Sequence, residues 1–173
     1  MSRIVIASVM LAALMSAGRV SVAQEADTSG VALPKAVRNQ LNDRFKGWTL
    51  ATVENTGACA ATLNGRSPSF VRADLNGDGT EDVALQIATA DGVRIVAVIS
   101  RLYDDVLLVE VDQVAGAASD VLGFAPRGKK YLRTDLFQVD YFSTDTLTAS
   151  RCGEGATAYF WTGTGFLKRT ITY

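Results

Sequence analysis

The chain has 173 residues, 48% of them apolar, with 17 Lys plus Arg against 18 Asp plus Glu, two cysteines and no histidine. That length suits one globular domain. The missing imidazole excludes Ser-His-Asp and Cys-His nucleophile activation, the HExxH zinc helix and the histidine proton switch, because each needs a ring nitrogen titrating near neutrality.

Residues 1–23 read as a secretory signal peptide. Arg3 precedes an apolar run at 4–15, and a polar stretch then closes on Ser21, Val22 and Ala23, whose small ends fit the third and first positions before a cut. Cleavage after Gly18, with Ser16 and Gly18 in those positions, is the alternative. The apolar run falls short of the roughly 20 residues that cross a bilayer, so no membrane span is expected. Cleavage after Ala23 removes Arg3 and Arg19 and no acid. The mildly acidic remainder has no electrostatic reason to bind nucleic acid or an anionic membrane. The destination is periplasmic or secreted. In that oxidising setting Cys59 and Cys152 are expected to form one disulfide, with two free buried thiols as the alternative.

Residues 24–32 form a flexible polar leader, and 33–173 a single α+β domain. Leu33, Val37, Leu41 and Phe45 recur every four residues and predict a helix with one apolar face. Pro34 suits its first turn and Gly47 the position past its end. From Trp48 onward the period shortens to that of strands. These are expected near 48–54, 58–63, 69–73, 82–89, 93–100, 106–112, 138–142, 147–151, 156–161 and 166–172. Asp91-Gly92 and Gly163-Thr164-Gly165 mark two hairpin turns. Residues 93–99 are apolar on both faces apart from Arg94, which predicts a central strand covered on both sides. Residues 112–133, with three glycines and Pro126, look the least ordered. The expected fold is a helix packed on a mainly antiparallel sheet or sandwich, β-rich, with one disulfide.

One segment carries a chemical signal. Between the strands at 69–73 and 82–89 lie Asp74, Asn76, Asp78, Gly79, Thr80, Glu81 and Asp82, four acids within nine residues. Converging carboxylates repel one another and raise each other's pKa, so a tight turn of this composition calls for a cation. Calcium suits it, taking six to eight oxygens, which alternate residues of a turning loop can offer. Side chains at positions one, three and five are Asp74, Asn76 and Asp78. The carbonyl of Thr80 comes at seven and Asp82 at nine, while Glu81 falls off the alternation and faces solvent. Gly79 permits the bend. Calcium modules outside the cell commonly bind at about 10⁻⁴ to 10⁻³ M, which favours a structural clamp over a sensor. The alternative is an acidic turn whose Asp and Asn side chains bond backbone N–H groups without metal.

The pattern Asp74-x-Asn76-x-Asp78-Gly79-x-x-Asp82, set between strands, resembles the calcium loop of FG-GAP and VCBS-type repeats of extracellular β-domains. It is also similar to the first half of an EF-hand or dockerin loop, although those place a closing acid where this chain has Leu85. Arg72 to Leu85 and the hairpin from Tyr159 to Phe166 resemble single-copy bacterial secreted proteins of this type. The resemblance implies calcium held by Asp74, Asn76, Asp78, Thr80 and Asp82. A single loop does not make a propeller, which needs several blades.

Other signals are weaker. Residues 123–130 miss the phosphate loop GxxxxGK[ST], since Lys130 stands where a hydroxyl must reach magnesium. Arg127, Lys129 and Lys130 form a basic turn. The aromatics Tyr141, Phe142, Tyr159, Phe160, Trp161, Phe166 and Tyr173 read as cross-strand core pairs. Asp135, Asp140 and Asp145 fit strand-end turns. The expected function is a non-enzymatic, calcium-binding interaction protein of the envelope or extracellular space, with a protein or glycan partner. The competing class is a carboxylate-dependent hydrolase of polysaccharide or peptidoglycan.

Overall fold

A computed structural model describes residues 31–54, 56, 63–101, 105–151 and 155–172. The expected signal peptide, Cys59 and Cys152 with their expected bridge, residues 58–62 of one expected strand, and Tyr173 lie outside these residues. The helix forms as its stripe requires. Helix α1 (Lys35–Arg44) follows Pro34, and its carbonyl ladder ends where the Phe45 N–H meets the Leu41 carbonyl at 2.7 Å. Gly47 then turns the chain at φ +69°, a conformation a side chain would resist.

Among the described residues eleven strands follow in two antiparallel sheets. The first sheet contains β1 (Thr49–Leu50), β2 (Phe70–Ala73), β3 (Asp82–Thr89), β4 (Gly92–Ser100) and β5 (Val106–Val114). β3, β4 and β5 run in order, and β1 and β2 share the outer edge of β3. The second sheet has the order β6 (Val121–Ala125), β9 (Thr146–Ser150), β10 (Ala156–Trp161), β11 (Phe166–Thr172), β7 (Lys130–Arg133), β8 (Gln138–Tyr141).

β4 is the central strand that its composition predicts. Ile95, Ala97 and Ile99 face the second sheet and pack with Leu122, Leu147, Ala149 and Tyr159. Val96 and Val98 face α1 and pack with Val37 and Leu41, flanked by Leu33, Phe45 and Trp48. Helix, first sheet and second sheet thus make three layers. The expected β-rich character and helix-on-sheet packing both hold.

Two strands appear where the chain looks least ordered. β6 and β7 occupy most of 121–133, because β6 pairs along its whole length with β9, and β7 with β8. The link between them, residues 126–129, joins two strands through Gly128 at φ +81°, a turn as the basic residues there suggest. In a flat sheet β6 and β7 would stand about 19 Å apart, beyond the roughly 17 Å that five chain steps reach. The second sheet therefore curls. Its concave side holds Ala125, Tyr131, Phe142, Ala158 and Ile171, with Phe142 stacked 4.4 Å from Tyr131 and 5.8 Å from Phe160. Trp161 and Phe166 make the expected cross-strand pair, edge to face at 5.2 Å. Leu63 precedes a turn rather than ending a strand, and 51–54 continue β1 without pairing as a strand. Asp140 sits inside β8 rather than in a turn.

The sheets are tied together by polar groups as well. Asp112 of β5 accepts the Tyr159 hydroxyl at 2.8 Å and the Lys168 ammonium at 2.6 Å, both from the second sheet. Burial opposes the Asp112 charge, yet those two bonds prevail and hold its carboxyl below the ordinary range. Burial, with the Asp112 charge beside it, raises the Tyr159 phenol. Tyr159→Phe keeps the ring in the core and removes one bond to a charged acceptor. Denaturant unfolding is expected to show a loss of roughly 1–3 kcal/mol, and an unchanged midpoint would show that the tie contributes nothing.

Candidate functional site

The acidic segment is the loop from β2 to β3, and adjacent pairing of those strands fixes its span. Ala73 and Asp82 are register partners, so residues 74–81 leave and re-enter the sheet at one point. Leu75 turns inward and is 1% exposed within the inter-sheet core. That buried anchor pins the loop to the sandwich. Gly77 and Gly79 bend it at φ +80° and +86°. At Gly77 a Cβ would lie 2.7 Å from the Thr144 methyl, so the loop rests against the turn from β8 to β9.

The structure places the five expected ligands as follows. Asp74, half-buried, accepts the Gly77 N–H at 2.8 Å and the Gly79 N–H at 3.0 Å. Asn76 accepts the Asp78 N–H at 2.9 Å and donates its amide to the Asp78 carboxylate at 2.8 Å. Asp78, exposed, accepts the Thr80 N–H at 2.7 Å. The Asn76 amide and then the Thr80 N–H hold the Asp78 carboxyl below its ordinary value. Thr80 is exposed. Asp82, the first residue of β3, is fully buried, and its carboxylate accepts the N–H groups of Leu75 at 2.9 Å, Asn76 at 3.2 Å and Ser100 at 2.7 Å. It joins both ends of the loop to the end of β4.

The backbone bonds expected of a metal-free acidic turn are thus present. Among the described residues no group of three or more Asp, Glu, His or Cys side chains is gathered closely enough to hold a metal ion. The acids of the loop are unequally partnered. Glu81, off the ligand alternation, pairs with Arg72 at 3.1 Å and is 57% exposed. Asp74, Asp78 and Asp82 have no Lys or Arg partner among the described residues. For Asp82, burial outweighs its three N–H bonds, and the nearby Asp78 charge adds to it, so the carboxyl is pushed up to about 6.

Three participants carry no sequence signal. Ser100 and Thr144 touch the loop only through the fold, and Leu75 reads locally as one more loop residue. A cleft of about 670 Å³ lies beside β2 against Val31, Arg66, Phe70 and Arg72 and not over the loop aspartates. Among the described residues no helix is long and apolar enough to cross a membrane. The chain matches no protein-family model, no curated protein and no solved structure. The likeness to FG-GAP and VCBS-type loops therefore stands on the motif residues alone.

The Asp82 carboxyl holds its proton more tightly folded than unfolded, where its pKa is near 3.8. Through this group, stability falls as pH rises from about 4 to about 6 and is level above. With chelator present, the cost of Asp82→Ala measured by denaturant midpoints should accordingly be larger at pH 4 than at pH 7. A cost independent of pH, or one that grows with pH, contradicts the raised carboxyl.

Proposed function

We propose that the protein is an exported calcium-binding domain that acts in the periplasm or outside the cell by engaging a partner, without catalysis, and that the loop after β2 is its calcium clamp. One observation carries this reading. Three aspartates at ligand spacing share one loop with no cationic side chain among their described partners, and the one carboxylate that is fully buried is penalised for its charge. A divalent cation relieves that penalty. The hydrogen bonds do not forbid it, because a carboxylate offers about four acceptor positions, of which Asp74 uses two for backbone N–H groups, Asp78 two for the Asn76 amide and the Thr80 N–H, and Asp82 three for backbone N–H groups. Asp74, Asp78 and Asp82 would hold the ion, with the Asn76 side chain and the Thr80 carbonyl completing the set. The ion would supply the counter-charge of the loop and no reaction chemistry.

The binding role rests on surface rather than cleft. Around β8, Leu136, Phe137, Val139 and Tyr141 are all more than half exposed, and such a grouping of large apolar side chains marks an interaction face.

At about 5 mM calcium a site of the expected strength should add roughly 1–2 kcal/mol, read as a higher melting temperature that a chelator reverses. Asp78→Ala should remove the calcium response while changing the melt in chelator little, since Asp78 is exposed. Identical wild-type melts with calcium and with chelator, together with a flat calorimetric titration, would refute the clamp.

A further inference from the structure

The strand edges of the two sheets are treated unequally. Along β5, helix α1 covers the edge: Gln40 donates to the Val106 carbonyl at 3.0 Å and Arg44 to the Leu108 carbonyl at 3.3 Å. At β6 the Leu122 N–H is taken by the Pro68 carbonyl at 2.8 Å. The remaining edge of the first sheet is split between β1, two residues long, and β2, four. β8 has no such cover among the described residues.

Which β8 groups face outward follows from the bonds beside it. The Phe142 N–H bonds the Lys129 carbonyl, so backbone groups at 142, 140 and 138 point toward β7, and those at 141 and 139 point away. The Tyr141 N–H confirms this, being capped by its neighbour's Asp140 carboxylate at 2.8 Å instead of by a strand. Val139 and Tyr141 are also the residues whose side chains stand 56% exposed. Backbone groups that no strand pairs among the described residues and exposed apolar side chains therefore share the same positions, the condition for adding another strand.

Resting on the reading of the β8 surface as an interaction face, we propose that a second copy of this chain supplies that strand, β8 pairing antiparallel with its own equivalent about a two-fold axis at Val139. In this register Val139 faces the partner's Val139, and Tyr141 reaches the partner's Phe137, which stands in the turn just before β8 at φ +52°. On the other face Gln138 stands opposite the partner's Asp140. Because Arg133 is the neighbour of Gln138 within β7, a row Arg133, Gln138, then the partner's Asp140 alternates donor and acceptor across the junction. The competing axis at Asp140 sets two like charges against each other at the closest strand spacing and is disfavoured. Pairing displaces the Asp140 carboxylate from the Tyr141 N–H and gives it the Gln138 amide in exchange. A four-residue strand makes a small interface, so the dimer is weak and concentration-dependent.

Sedimentation of the purified protein over a range of concentrations tests this, run once with calcium and once with chelator. A reversible rise from monomer to dimer mass is expected in both, which separates the outcome from that of the calcium clamp. Val139→Pro removes an outward N–H without touching the bonds to β7, and Val139→Lys puts charge on the axis. Each should abolish the dimer while leaving the circular dichroism of dilute protein unchanged, and the lysine variant decides if the proline variant fails to fold. Val139→Cys should give a disulfide-linked dimer on mild oxidation that wild type does not give. A monomer up to about 1 mM, or a dimer that survives Val139→Lys, overturns the proposal.

Discussion

The structure depends on β4 being buried on both faces. A strand covered on one side alternates apolar and polar residues, whereas one covered on both must be apolar throughout. From Ile95 to Ile99 all five residues are 1% exposed or less, three serving the inter-sheet core and two the helical layer. A polar group placed there would have no water to bond and costs energy unless it finds a partner. The one charge on the strand, Arg94, lies nearer its start, where Glu110 pairs with it and the Phe45 ring lies 6.0 Å from the guanidinium. β4 also positions the loop, since its last residue, Ser100, donates its N–H to Asp82. Core and candidate site share a strand.

Two buried or half-buried acids in this fold move in opposite directions. Burial penalises the charge of both Asp112 and Asp82, and both accept backbone N–H groups. Asp112 also meets Lys168 and falls below the ordinary carboxylate range. Asp82 meets no cation and rises to about 6. Lys168 and the Tyr159 hydroxyl, together with shallower burial, separate Asp112 from Asp82, and the proposed calcium ion would be to Asp82 what Lys168 is to Asp112. The same comparison accounts for Glu81, whose exposed pairing with Arg72 contributes little by itself but keeps that carboxylate out of the loop interior.

Legibility in the sequence followed the range of the interactions. Helix α1 was readable because Leu33, Val37, Leu41 and Phe45 repeat at the helical period, and the β3–β4 and β10–β11 hairpins because their turns sit between strongly patterned strands. The loop was readable as a motif, with its flanking strands. β6 and β7 were not. Gly123, Pro126 and Gly128 signal irregular chain, and β7 has only Tyr131 buried, so pairing partners rather than local preference make these segments strands. The contact of Asp112 with Tyr159 and Lys168 spans 47 and 56 residues and leaves no local trace. Tyr159 was legible as a core aromatic, but its hydroxyl partner was not. Leu75 was hidden for a related reason, since one apolar residue among acids gains meaning only when the inter-sheet core is there to receive it.

The uncovered edge follows from the same architecture. The second sheet curls because residues 126–129 are too short to cross it flat, and β8 ends that sheet beyond β7, at the end opposite β6. α1 cannot compensate. Its 10 residues extend about 15 Å and lie on the far face of the first sheet, where they serve β5. β8 thus falls where no described segment of the chain is placed to cap it, and the Asp140 carboxylate on the Tyr141 N–H is a local substitute that satisfies one donor. An edge held by a single side-chain cap remains open to exchange for a strand, because the added strand returns a backbone acceptor to the same N–H and covers Val139 and Tyr141 as well.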